Sequence, residues 1–145
     1  MKTKIINESF DKDTGLTIVT IQNKYGHFTG TAKCHPDEID NFSMFQGERI
    51  AATRANINFL KFRIKQEKAK IKAVRAFSND LYSLYLNDII YDKKVNHIWE
   101  HAIIMEDTYE KNIENFKTSI EILNNSIKLM DKDRQDILLR SNKNK

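Results

Sequence analysis

His97-Ile98-Trp99-Glu100-His101 matches the H-x-x-E-H spacing of the inverted zinc peptidases, in which two histidines one helical turn apart hold a metal and the glutamate activates water. Such a centre also needs a further carboxylate ligand and a chamber around the substrate, and a chain of 145 residues offers no obvious one. The residues are therefore expected to be ordinary surface histidines of a helix. Cys34 and His35 form a second candidate, with His27 opening the same predicted strand. A thiol nucleophile needs a histidine beside it in space, whereas neighbours on a strand point to opposite faces. Cys34 is the only cysteine, so one chain can make neither a disulfide nor a multi-thiolate zinc site, which suits a reducing cytosol. No phosphate-cradling glycine loop, paired-carboxylate motif or serine nucleophile elbow is present. The expectation is a binding protein, not an enzyme, with no cofactor and no metal.

Charge is the stronger signal. The net charge is +4, but its distribution matters more. From Arg49 to Arg75 the basic residues are Arg49, Arg54, Lys61, Arg63, Lys65, Lys68, Lys70, Lys72 and Arg75, against Glu67 alone. Lys61, Lys65, Lys68 and Lys72 follow the spacing of one helix face, flanked by Arg54, Arg63 and Arg75. Such a face suits a phosphate backbone or an acidic protein groove. The candidate partner-binding set is Arg49, Arg54, Lys61, Arg63, Lys65, Lys68, Lys72 and Arg75. From Trp99 to Ile122 the balance reverses, with Glu100, Glu106, Asp107, Glu110, Glu114 and Glu121 outnumbering Lys111 and Lys117. An antiparallel hairpin would lay one stretch beside the other and account for both without an outside partner.

The elements that must carry these residues are readable from periodicity. Lys4 to Asp11, Leu16 to Asn23 and His27 to Cys34 read as strands, separated by Lys12-Asp13-Thr14-Gly15 and Lys24-Tyr25-Gly26. In the second strand Leu16, Ile18 and Ile21, with Val19 of opposite parity, predict one well buried face and some apolar character on the other. His35-Pro36-Asp37 ends the third strand, a polar loop follows to about Asn41, and Ser43 with Gln46 has the capping-box spacing of a helix start. Ile57, Leu60, Ile64, Ile71, Val74, Leu81 and Tyr85, widened by Phe59, Phe62 and Phe77, make a helical stripe. A break is expected at Ser78-Asn79-Asp80 and a connection at Tyr91-Asp92-Lys93-Lys94. Beyond it Ala102, Tyr109, Phe116, Leu123, Met130 and Ile137 recur at every seventh position, with Ile113, Ile120 and Ile127 between them and Glu106 and Arg134 as exceptions. That is a coiled-coil-like seam, within the chain or between two copies in a homodimer.

The fold class predicted is α+β, a small three-stranded antiparallel β-meander packed on a long helix and followed by a helical hairpin. The expected division is 1–76 for the β-β-β-α module, 77–140 for the returning helical region and 141–145 for a frayed tail. No apolar run approaches the roughly 20 residues of a membrane span, and Met1-Lys2-Thr3-Lys4-Ile5 lacks a signal-peptide apolar region. A cytoplasmic protein without a membrane partner is expected.

Gly26-His27-Phe28-Thr29-Gly30-Thr31-Ala32-Lys33-Cys34-His35-Pro36-Asp37, then Ser43, Gly47-Glu48-Arg49-Ile50-Ala51 and Arg54-Ala55, resemble a pattern of small accessory proteins of phages and prophages of low-GC Gram-positive bacteria. The wealth of Lys, Asn and Ile fits such a source. The resemblance spans about residues 16 to 62 and implies a β-β-β-α module similar to the later part of a double-stranded-RNA-binding domain, whose leading helix has no counterpart before Lys4. It also implies host takeover, for which inhibitors of CRISPR nucleases are a prominent class. The function expected on that ground is a stoichiometric, anti-CRISPR-like inhibitor of a bacterial defence nuclease or ribonucleoprotein in the host cytoplasm, binding a nucleic-acid-binding or regulatory surface. Two alternatives stand beside it: a nucleic-acid-binding accessory protein that contacts RNA or DNA directly, and a structural coiled-coil assembly protein.

Overall fold

A computed structural model describes residues 1–33, 41–86 and 93–143, with side chains described outside 34–43, 86–96 and 133–145. Strands β1 (Lys4–Asp11), β2 (Leu16–Asn23) and β3 (Gly26–Lys33) are followed by two long helices, α1 (Asn41–Leu86) and α2 (Lys93–Lys143). The fold is α+β. The sheet is an antiparallel meander in the order β1-β2-β3.

Each turn follows from its residues. The Asp11 carbonyl accepts a hydrogen bond from the Gly15 N–H at 2.8 Å. Gly15 takes φ of 71°, a left-handed conformation that costs glycine little. The Asn23 side-chain oxygen accepts from the Tyr25 N–H at 2.8 Å, an Asx turn across Lys24-Tyr25. Third-strand pairing runs from Gly26 to Lys33, so it starts one residue earlier than expected and Cys34, His35 and Pro36 lie outside the described residues.

The chain divides into two compact units, which combine distant stretches where the expected division at residue 76 followed chain order. The sheet unit is Met1–Leu60 with Ser119–Lys145, and the paired-helix unit is Lys61–Thr118. In the sheet unit Thr17, Val19, Ile21 and Asn23 form the buried face of β2, correcting the expectation that grouped Leu16 and Ile18 with Ile21. Strict alternation sends Leu16 and Ile18 to the other face. Val19, Ile21 and Ala32 pack with Ile50, Ala51, Ala55, Ile57 and Phe59 of α1 and with Ile127 and Met130 of α2. The Phe59 ring meets Phe28 at 5.1 Å and Tyr25 at 5.7 Å.

Gly30 sets how closely α1 approaches the sheet. A Cβ there would lie 2.0 Å from the Ala51 carbonyl oxygen and 2.3 Å from the Ala55 backbone nitrogen, so helix backbone rests directly on strand backbone. One turn apart on the exposed side of that contact, Arg54 donates to the Thr31 carbonyl at 2.8 Å and Asn58 to the Thr29 carbonyl at 2.7 Å. Both carbonyls belong to the edge strand β3, so the helix also satisfies sheet-edge acceptors.

In the paired-helix unit α1 and α2 run antiparallel. Arg63 lies over the Phe116 ring, Lys70 over Tyr109, and Tyr82 against Trp99. The heptad seam faces inward. Ala102 and Ile113 are buried here, Ile127 and Met130 in the sheet unit, and Tyr109, Phe116, Ile120 and Leu123 are half-buried. Ile137 and Arg134 lie outside the described side chains.

Several expected boundaries shift. Helix α1 begins at Asn41, ahead of the Ser43 box, whose serine side chain is outside the described ones. It continues through Ser78-Asn79-Asp80 without a break, because half-buried Ser78 and buried Leu81 extend the inward row of Ile71 and Val74 while Asn79 and Asp80 face solvent. Phe77 and Tyr85 flank that row and are exposed. Lys93 and Lys94 are helical, Tyr91 and Asp92 fall outside the described residues, and α2 includes Ser141 to Lys143.

Candidate functional site: a lysine ridge on the helix pair

The basic stretch of α1 separates into cations that the fold engages and cations that it leaves exposed. Its arginines are engaged in the fold. Arg54 holds the Thr31 carbonyl and Arg49 lies over the Phe45 ring, both within the sheet unit. In the paired-helix unit Arg63 is half-buried over Phe116, donates to the Gln66 side chain at 2.8 Å and stands 3.6 Å from Glu67. Arg75 bridges Glu106 and Glu110 of α2. A planar guanidinium offers several fixed donors and can serve a ring or two carboxylates at once, which is why these positions suit arginine.

Lys70 is engaged as well, with Glu67 and the Tyr109 ring, but the other four lysines behave differently. Lys61, Lys65, Lys68 and Lys72 are exposed along one face of α1, and none has a hydrogen-bond or ion-pair partner among the described residues. Among the described residues no carboxylate of the acidic stretch of α2 forms an ion pair with them. Glu106 and Glu110 go to Arg75, and Glu114 pairs with Lys117 of its own helix at 3.5 Å. Lys61, Lys65 and Lys68 surround half-buried Phe62 and Ile64 in one shallow depression. Lys68, Lys72, Arg75 and Lys117, with the Glu110 carboxylate among them, surround the buried Ile71 and Ile113 in a second. Lys117, from the helix read as acidic, reaches that depression through tertiary structure alone and keeps its ion pair with Glu114.

Glu67 is the residue that the charge pattern concealed. Its side chain is 1% exposed, and it accepts hydrogen bonds from Lys70 at 3.0 Å and from Asn112 at 3.2 Å. Burial pushes its carboxyl up, but Lys70, Asn112 and Arg63 together outweigh burial and hold it below its usual range. It stays ionised inside the pair. The sequence signal was its place between Ile64 and Ile71 on the apolar stripe, where the next inward residue belongs.

The histidine motif is open to solvent. His97 and Glu100 are largely exposed and 4.0 Å apart, and among the described residues no three His, Cys, Asp or Glu side chains come together as a metal site. No helix among the described residues is long and apolar enough to cross a membrane. Compared with protein-family models, with curated proteins and with solved structures, the chain matches none.

Proposed function

We propose that the chain is a non-catalytic binding protein that acts stoichiometrically on an anionic partner through the lysine ridge. In the form that its phage-type sequence pattern favours, it is an inhibitor of a bacterial defence nuclease. The observation that carries this reading is that Lys61, Lys65, Lys68 and Lys72 have no partner among the described residues, beside Arg49, Arg54, Arg63 and Arg75, which are engaged. Like charges one turn apart destabilise a helix by about 0.2–0.5 kcal/mol per pair. Four of them in a row work against folding, and an external anion would offset that cost. The coiled-coil assembly reading is the less favoured one, because Ala102, Ile113, Ile127 and Met130 of the seam are already buried within the chain.

The test is capture of a defence nuclease from a host that expresses it, combined with titration of its cleavage activity. Full inhibition near one equivalent, lost when the four lysines become glutamate, supports the proposal. Turnover-like inhibition far below one equivalent, or full inhibition by the charge-reversed chain, would sink it.

A further inference from the structure

We propose that the ridge formed by Lys61, Lys65, Lys68 and Lys72 binds the phosphodiester backbone of a nucleic-acid duplex without reading its sequence. The proposal rests on the ridge being the contact face and adds the chemistry of what it contacts. Successive lysines stand about 4.5 to 6 Å apart along a straight helix, so the ridge spans about 16 Å. A duplex carries one negative charge per about 1.7 Å of axis, which places a phosphate within reach of every ammonium.

Residue type decides between nucleic acid and protein. Lysine is depleted from protein interfaces, whose centres favour aromatic residues and arginine. Here the apolar residues between the lysines, Phe62 and Ile64, are half-buried, and the arginines nearby serve the fold. Lysine ammoniums are hydrated, flexible point charges that meet phosphates in any register. Adenine edges are read by Asn or Gln and guanine edges by Arg or Lys, but a flexible lysine ammonium lacks the rigid fork that fixes an arginine on one base, and the ridge holds no Arg, Asn or Gln. The result is a backbone contact, strong in charge and indifferent to sequence.

The experiment titrates the full chain against labelled mixed-sequence RNA and DNA duplexes across a salt series. Four neutralised phosphates give a log-log slope of about −3.6, a loss of roughly 150-fold in affinity between about 50 and about 200 mM salt. The quadruple Lys→Glu variant should lose binding while keeping its helical circular dichroism. If that variant fails to fold, the quadruple Lys→Gln variant carries the same test. Lys68→Gln with Lys72→Gln should reduce the slope by about 1.8. Preference for one duplex identifies RNA or DNA as the source of the phosphates. No binding by folded wild-type chain at about 50 mM salt, or an unchanged slope in the quadruple variant, overturns the proposal. Inhibition of the nuclease by a chain that binds neither duplex also overturns it and leaves the inhibitor reading intact. Duplex binding without inhibition supports the ridge contact and removes the inhibitor reading.

Discussion

Replacing Gly30 by alanine should cost the sheet unit far more than one methyl group suggests. The added carbon would stand 2.0 Å from the Ala51 oxygen, 2.3 Å from the Ala55 nitrogen and 2.9 Å from the Arg54 carbonyl carbon, whereas ordinary contact begins near 3.4 Å. All three neighbours are backbone atoms, so no side chain can rotate away. The helix and strand must part by about 1.4 Å, opening the packing of Val19, Ile21 and Ala32 against Ile50, Ala51 and Ala55. It would also strain the bonds from Arg54 and Asn58 to the β3 carbonyls. Overpacking a core costs typically about 1–3 kcal/mol, and a backbone-on-backbone clash belongs at or above the upper end. For a chain of this size about 3 kcal/mol lowers Tm by roughly 10 °C. Thermal and urea unfolding followed by circular dichroism would measure it, with Thr31→Ala on the exposed face of the same strand as a control expected within about 0.5 kcal/mol. A Gly30→Ala protein that melts within about 2 °C of wild type would refute the close packing of α1 on β3.

Glu67 sets an acid limit. Because its folded pKa lies below its ordinary value of 4.5, its stabilising contribution is present above that value and is lost as pH falls through the folded pKa. Wild type should therefore lose more stability than Glu67→Gln on acidification from neutral pH, as measured by urea midpoints, and parallel losses would contradict a buried ionised carboxylate. Ile127→Asp places an unpaired charge in the sheet-unit core and should destabilise by about 3–5 kcal/mol, whereas an unchanged urea midpoint would mean that the α2 seam faces solvent there. Chelation should leave the melting temperature unchanged, and stoichiometric zinc lost on joint replacement of His97 and His101 by alanine would overturn the non-metal assignment.

The sequence by itself determined the elements, because their signals are local. Alternation and turn chemistry placed the strands at Lys4–Asp11 and Leu16–Asn23, and the heptad spacing of Ala102, Tyr109, Phe116, Leu123 and Met130 identified the inward face of α2. These patterns depend on residues within a turn or two of one another, which the chain order displays directly. Tertiary structure alone decided what each charge does. Arg63 and Arg75 looked like part of the basic face, yet a ring and two carboxylates, more than thirty positions away in sequence, claim them. Glu67 looked like a stray acid among lysines, yet Asn112 of the other helix makes it a buried anchor. Gly30 read as one glycine in a recurring pattern, and only the approach of Ala51 and Ala55 shows why a side chain cannot stand there. A charge or a missing side chain acquires its role from whatever lies across the interface, and pairing across an interface is a property of folding in space that spacing along one strand or helix does not encode.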